Sequence, residues 1–259
     1  MRVVTNERQV KRGRQRGTVM FFVSLAVLTG GLLITNFIPV SPVALLIVPC
    51  AVMPLGILFT VLSIRLTNEY LRTPRPEEAI REGLEGIKNA VLYNYFTPRH
   101  VLITPYGVYA IVTRFQITKV KFSGETVHNY RNKGPLAPVF LFLRQEGMGN
   151  PYEEVQTDTA TLQVIVDETL PDLHLTVQPL IVFISPKAVL ELEDPIVPVV
   201  YASPEKKPSL RNALKGDQKD KLRDQAEKLT EDQITLLEAA LQAQLSEREF
   251  EDASEEEYA

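Results

Sequence analysis

A group of basic side chains between residues 114 and 145 could contact phosphate groups. Only Glu125 opposes them within this segment, and the cations are Arg114, Lys119, Lys121, Arg131, Lys133 and Arg144. Lys119 and Lys121 alternate along a predicted strand, so they share one face and concentrate positive charge there. Two interpretations follow. The segment is either a basic patch for anionic lipid or nucleic acid, or a solvated sheet face on which lysines protect an edge strand.

Arg114 closes the segment GVYAIVTR, whose β-branched and aromatic residues predict a strand. On a pleated strand Val108, Ala110, Val112 and Arg114 lie on one face, so a single cation ends an otherwise apolar row. This placement predicts either a functional site at Arg114 or the remains of one.

The motifs of common catalytic sites are missing from the sequence. The single cysteine, Cys50, lies in an apolar run and excludes an internal disulfide or a cysteine-based zinc cluster. His100, His128 and His174 are too far apart in sequence to form a local ligand motif. Glycine-rich nucleotide loops, H-E-x-x-H and G-x-S-x-G do not occur. The sequence therefore predicts no cofactor, and a metal site would need mostly carboxylates.

Two uncharged apolar segments, 18–38 and 43–64, precede these residues and are joined by the short link PVSP. Each has about the ~20 residues that a helix needs to cross ~30 Å of hydrocarbon. They predict a transmembrane helical hairpin over 18–66. A cleaved signal peptide is the alternative for the first segment, but an A-x-A-like cleavage site is missing and the second segment follows at once.

The charge distribution predicts the orientation of this hairpin. Residues 1–76 carry a net charge of +7, with a basic segment at 1–17 and further arginines after the second span, whereas the rest of the chain carries −11. By the positive-inside rule, both termini and the soluble part lie in the cytoplasm. The lipid bilayer is then the first predicted partner, with anionic headgroups next to the basic flanks.

Helix and strand patterns alternate in the soluble part and predict an α/β or α+β fold. Asn150 and Pro151 mark the start of a helix, because Asn is a favoured cap and Pro a favoured first residue. The predicted order is an acidic helix at 77–88, four strands in an antiparallel meander at 91–96, 100–105, 107–114 and 118–122, the helix after Asn150, and strands at 177–185 and 196–202.

Less regular segments complete the chain. Residues 137–144, APVFLFLR, predict a buried strand or helix, with a membrane-docking surface as the alternative. Residues 216–247 predict two C-terminal helices, the second opening with a capping box of Thr230 and Gln233. The last residues, 248–259, predict an acidic disordered tail or a tail that binds a partner.

Residues 77–202 resemble the nuclease-related domain family (NERD), a branch of the restriction-endonuclease-like fold. The likeness rests on the opening acidic helix, the strands in HVLITPYGVYAIVTR, the Asn150-Pro151 helix start followed by Gln156, and the strand LIVFIS. It implies a restriction-endonuclease-like mixed sheet flanked by helices in a nuclease-related domain at 77–215, preceded by the hairpin and followed by the C-terminal helices.

In active members of that family, an Asp and a Glu-x-Lys pair hold Mg²⁺ and orient the attacking water. The resemblance places these positions on Arg99, Val112 and Arg114, and it leaves Gln156 as a retained motif position. Valine offers no oxygen to a metal ion, and Arg99 puts a positive charge where a carboxylate is required. The resemblance therefore implies a degenerate catalytic site without a metal, in which Arg114 could still contact phosphate.

Three functional hypotheses follow. The leading one is a membrane-anchored cytoplasmic protein with a catalytically degenerate nuclease-related domain that serves as a binding or scaffold module, with a protein partner of unknown identity. The second is a divergent Mg²⁺-dependent nuclease with relocated ligands at Glu78, Glu125 or Asp158. The third is a structural membrane-associated protein that neither cleaves nor binds nucleic acid.

Overall fold

The computed structural model describes residues 1–37, 42–71, 73–130, 149–223 and 228–257, and the chain divides into two compact units. One unit combines Met1–Asn6 with the described residues from Pro76 onward, and the other is Glu7–Arg75. The strands in chain order are β1 (Arg2–Thr5), β2 (Val91–Asn94), β3 (His100–Thr104), β4 (Gly107–Arg114), β5 (Lys119–Ser123), β6 (Thr126–Tyr130), β7 (Gln178–Phe183), β8 (Val189–Glu193) and β9 (Val199–Tyr201). The helices are α1 (Glu7–Phe37), α2 (Pro42–Tyr70), α3 (Pro76–Gly83), α4 (Pro151–Thr169), α5 (Leu210–Arg223) and α6 (Glu231–Glu257).

The first unit is built on a mixed six-stranded sheet in the order β1–β2–β3–β4–β7–β9. Strand β3 is antiparallel to β2 and β4, and the other neighbouring pairs are parallel. Helices α3 and α5 pack on one face around Ile80, Leu84 and Leu210, and α4 and α6 cover the other face around Leu162 and Leu237. The predicted α/β fold with a mixed sheet flanked by helices is confirmed.

A second sheet of three strands, in the order β6–β5–β8, packs beside the first. The predicted meander is therefore correct for β2, β3 and β4 but wrong for the fourth strand, because β4 pairs with β7 instead of β5. Strand β4 is buried along nearly its whole length and needs an apolar neighbour on its open edge. In strand β5 the buried residues Val120 and Phe122 alternate with solvated lysines. This pattern suits a sheet with one face exposed to solvent.

The N-terminal segment, predicted only as a basic flank, forms the edge strand β1. Arg2 N donates to Ala90 O at 2.9 Å and Asn6 N to Asn94 O at 3.1 Å, at the two ends of a parallel pairing with β2. Val4 packs against the core, and Arg2 forms an ion pair with Glu238 on α6. The β-branched residues Val3, Val4 and Thr5 were the sequence signal for this strand.

Helix boundaries agree with the predictions at caps and differ elsewhere. The Asn150 side chain accepts from Glu153 N at the start of α4, and Thr230 and Gln233 form the predicted capping box before α6. Helix α3 ends at Gly83, before the predicted 88. Helix α6 continues to Glu257, into the segment predicted to be disordered, because its Glu and Ala residues favour helix. Segment 137–144 lies outside the described residues.

The second unit is an antiparallel pair of long helices, α1 and α2. Small residues line the contact at a spacing of seven along α1, where Gly17, Ser24 and Gly31 are buried. A Cβ on Gly31 would lie 2.4 Å from Val52 on α2, and the hydroxyls of Ser24 and Thr60 form a hydrogen bond of 2.8 Å between the helices. Small residues and hydroxyls at the contact are typical of helix pairs in membranes.

The outer surface of α1 is mainly apolar after its basic first turns. Phe21, Phe22, Leu25, Leu32 and Leu33 are all exposed. Among the described residues, one helix, Glu7–Asn36, is long and apolar enough to cross a membrane, and Cys50–Ile64 within α2 is a shorter apolar stretch. Helix α1 thus begins eleven residues before the predicted first span and carries the basic flank as part of the same helix.

Replacing Gly31 by leucine is expected to separate the two helices, because its side chain would enter the space of Val52. Gly30→Leu is the matched control, since a Cβ there meets nothing within 4 Å. With Ser24→Cys and Thr60→Cys in a Cys50→Ala background, disulfide yield in micelles reports the contact. We expect Gly31→Leu to cost about 1–3 kcal/mol and to reduce this yield, as overpacking does. Equal yields in both variants would contradict the proposed contact.

Candidate functional site

Arg114 lies at the C-terminal end of β4 with its guanidinium almost fully enclosed. The residue is 8% exposed. Its Nη2 donates to Glu154 Oε2 on α4 at 2.6 Å, and its Nη1 donates to the carbonyl of Thr113 at 2.9 Å. Its Nε is buried and has no hydrogen-bond partner. The end of the apolar row on β4 is therefore a buried cation held by one carboxylate.

Asp158 stands one turn after Glu154 on α4 and completes a cluster of four charges. Burial and the Glu154 carboxylate raise the pKa of Asp158 to about 6, while the charges of Arg99 and Arg114 act in the opposite direction. Arg99 is exposed in the turn before β3, whereas Asp158 is half-buried. Of the three positions that the resemblance assigns, Arg99 and Arg114 thus both act on Asp158, and Arg114 also pairs with Glu154.

Val112, the third position that the resemblance assigns, belongs to the hydrophobic core. It is 2% exposed and clusters with Phe122, Phe183 and Val155. Gln156 is exposed on α4. Two residues along a helix correspond to a rotation of about 200°, so Gln156 does not share the face of Glu154 and Asp158. Neither position adds an oxygen ligand to the cluster.

The predicted basic patch is paired with carboxylates where the structure describes it. Lys119 Nζ lies 2.6 Å from Glu191 Oε1, and Lys121 Nζ lies 2.7 Å from Glu193 Oε1 across the neighbouring strand β8. Strand β8 was missing from the predicted elements, so these partners could not be anticipated. Arg131, Lys133 and Arg144 lie outside the described residues.

A buried polar group at the same end of the sheet was also missed. His100 Nδ1 lies 2.9 Å from Asn94 Oδ1, and the Tyr95 hydroxyl donates to Glu77 at 2.9 Å. Burial, assisted by the charge of Arg99, lowers the pKa of His100 to about 3, so its ring is neutral at physiological pH. Tyr95 has a left-handed backbone, with φ 62°, which is strained for a bulky residue. This group joins β2 and β3 to α3.

The alternative carboxylates do not meet at one place. Glu78 lies on α3, which covers one face of the large sheet, and Asp158 lies on α4, which covers the other. Glu125 is exposed in the turn between β5 and β6. Within the part of the chain that the structure describes, no group of three His, Cys, Asp or Glu side chains could hold a metal ion.

Glu154 is the site residue that the sequence interpretation overlooked. Acidic residues are common in the first turn of a helix, so the position of Glu154 there is not a distinctive signal. Glu154 and Asp158 are four residues apart and therefore share one helix face, which was the available signal. The partner of that face, Arg114, is 40 residues away in sequence and depends on the packing of α4 on β4.

Asp158→Asn is expected to stabilise the protein at pH 7.5, because the folded state disfavours the ionised carboxylate. The raised pKa means that Asp158 contributes most stability below about pH 4, and that this contribution is lost as the pH rises through about 6. After allowance for solvent screening, we expect a gain of about 1–2 kcal/mol at pH 7.5 that vanishes near pH 4. Urea unfolding of the full chain in detergent measures it.

Asp172→Asn is the control for this measurement, since Asp172 is exposed. A gain at pH 7.5 that persists at pH 4, or one that Asp172→Asn reproduces, would contradict the assigned environment of Asp158.

Comparison of the chain with protein-family models, with curated proteins and with solved structures gives no match. The roles given to Arg99, Val112 and Arg114 rest on the geometry above and on the resemblance of the sequence.

Proposed function

We propose that this protein is a membrane-anchored binding or scaffold module built on a catalytically degenerate nuclease-related domain. The observation that carries the proposal is the chemistry at the end of β4. Val112 fills the apolar core, and Arg114 is held by Glu154. A divalent ion requires several oxygen ligands, and two guanidiniums next to them would repel it. This arrangement favours a binding role over hydrolysis.

The element order supports the family part of the proposal. The chain forms helix α3, then β2, β3 and β4, and, after β5 and β6, helix α4 and strand β7. Strands β2, β3, β4 and β7 are neighbours in one mixed sheet. This arrangement is compatible with a restriction-endonuclease-like core. Strands β1 and β9 extend the sheet at its two edges, and the small sheet with β5, β6 and β8 is an addition to it.

Chain connectivity supports a two-helix hairpin. Strand β1 precedes α1, and its partner β2 follows α2. Paired strands must lie on the same side of a membrane, so the chain between them crosses an even number of times. Helix α1 is long and apolar enough to cross once, and α2 then has to return. With the basic flanks, this supports a cytoplasmic position for the soluble unit and both termini.

The relocated-ligand nuclease remains the second candidate because Glu154 and Asp158 are adjacent carboxylates. Asp158 with a raised pKa could act as a general acid or base. Two carboxylates that face two arginines are nevertheless a weak cation site. The third candidate, a purely structural membrane protein, predicts that no ligand binds to the soluble unit.

We expect no metal-dependent cleavage when the purified full chain is incubated with single- and double-stranded DNA and RNA in Mg²⁺ or Mn²⁺. The physical reason is the missing ligand set around Val112 and Arg114. Cleavage that is abolished by a chelator and by Asp158→Ala or Glu125→Ala, but not by Asp172→Ala, would overturn the proposal in favour of the second candidate.

The topology is tested with single thiols in a Cys50→Ala background. Ser41→Cys lies in the link between the helices, Arg8→Cys near the start of α1, and Lys206→Cys in the exposed loop before α5. In intact spheroplasts, a membrane-impermeant maleimide is expected to label only the Ser41→Cys protein. Labelling at residue 8 without labelling at residue 206 would indicate a single crossing and contradict the hairpin.

A further inference from the structure

On one edge of the Arg114 guanidinium, only one of the two N–H donors makes a hydrogen bond. In the planar guanidinium, Nε–H and Nη2–H point the same way and can bind a carboxylate or phosphate with two parallel hydrogen bonds. Glu154 accepts from Nη2 alone, and Nε is buried without a partner. A buried donor without an acceptor is unfavourable by itself. An acceptor group with two oxygens in this plane would satisfy both donors.

The surroundings of this edge favour an anion. Arg114 is more than nine-tenths buried, so a contact with it is little weakened by water. The first turn of α4, which begins at Asn150, lies beside it and contributes the positive end of a 19-residue helix. Arg99 adds a second positive charge, which acts on Asp158 in the same cluster.

The present acceptor is replaceable. The Glu154 side chain is 52% exposed, so its carboxylate can move into water at little cost when another group takes its place. Asp158 on the same helix face is held partly neutral near pH 6, which reduces the negative charge that an entering anion would meet. The described lysines of β5 are paired with Glu191 and Glu193 and do not extend the site into a track for a nucleic-acid backbone.

We propose that the Nε and Nη2 edge of Arg114 binds a tetrahedral oxyanion of the phosphate class, and that Glu154 occupies half of this site until the anion displaces it. The inference rests on the proposed binding function and names its ligand class. The phosphate group can belong to a lipid headgroup with a terminal phosphate or to free inorganic phosphate, because both present the same oxygens.

Sulfate is the first probe, because its charge does not change between pH 5 and 8. The full chain is placed in nanodiscs of phosphatidylcholine, and the unfolding temperature is followed against sulfate, with chloride at equal ionic strength as reference. Saturable stabilisation gives an apparent Kd. We expect Glu154→Gln to lower this Kd about two- to fivefold, since it removes an exposed competing charge. Arg114→Lys should raise it about tenfold, because lysine lacks the planar fork.

Lys206→Gln is the matched control, since it removes an exposed positive charge elsewhere on the same unit and should leave the Kd unchanged. An unchanged or higher Kd in Glu154→Gln, or an unchanged Kd in Arg114→Lys, would overturn the proposal. Glu154→Gln keeps the result decisive if Arg114→Lys proves unstable, because Glu154 is at the surface.

Two further arms identify the source of the phosphate. Stabilisation by phosphatidic acid in the nanodisc that Arg114→Lys removes assigns the site to lipid headgroups, whereas a response to soluble phosphate alone assigns it to the free anion. Metal-dependent cleavage would overturn the proposed function but leave the sulfate affinities as predicted. The two proposals can therefore fail separately.

Discussion

The buried charge of Arg114 is the constraint around which the end of the large sheet is organised. Arginine stays protonated near neutral pH, and an unpaired charge in the interior costs several kcal/mol. Helix α4 has to bring Glu154 to this guanidinium, while the same helix packs Val155 onto the core around Val112. The ion pair and the apolar contact thus fix the position of α4 on β4 together. Arg114 therefore stabilises the packing of α4 on β4, and the described part of this cluster has no set of oxygen ligands for a metal ion.

The two units follow opposite rules of burial. In the sheet unit, aromatic and aliphatic side chains are enclosed, and most charges, such as those of the paired Lys121 and Glu193, are at the surface, with Arg114 as an exception. In the helix pair, small residues and hydroxyls face inward and large apolar side chains such as Phe22 face outward. The second pattern is stable only where the surroundings are themselves apolar. Burial therefore supports the proposed bilayer position independently of the hydropathy of the sequence.

Short-range sequence patterns predicted where individual helices start. They did not predict which distant elements pair or pack together. Asn150 with Pro151 and Thr230 with Gln233 fix helix starts through contacts three residues apart, and both were predicted. The place of β5 depended on β8, some 70 residues further along, and the partner of Arg114 depended on how α4 packs. Arg114 was identified as the cation that ends an apolar strand face, and Arg99 through the family resemblance. Glu154 was not identified, because its role depends on its contact with Arg114, which is distant in sequence.

Strand β1 also sets the order in which the molecule can be made. Thr5 is hydrogen-bonded to Asn94, 89 residues further along the chain, and both apolar helices are synthesised between them. Residues 2–5 must therefore remain unpaired until β2 has been translated. Closing such a long loop is slow relative to local helix formation. The edge of the sheet is consequently completed only after both helices have been synthesised.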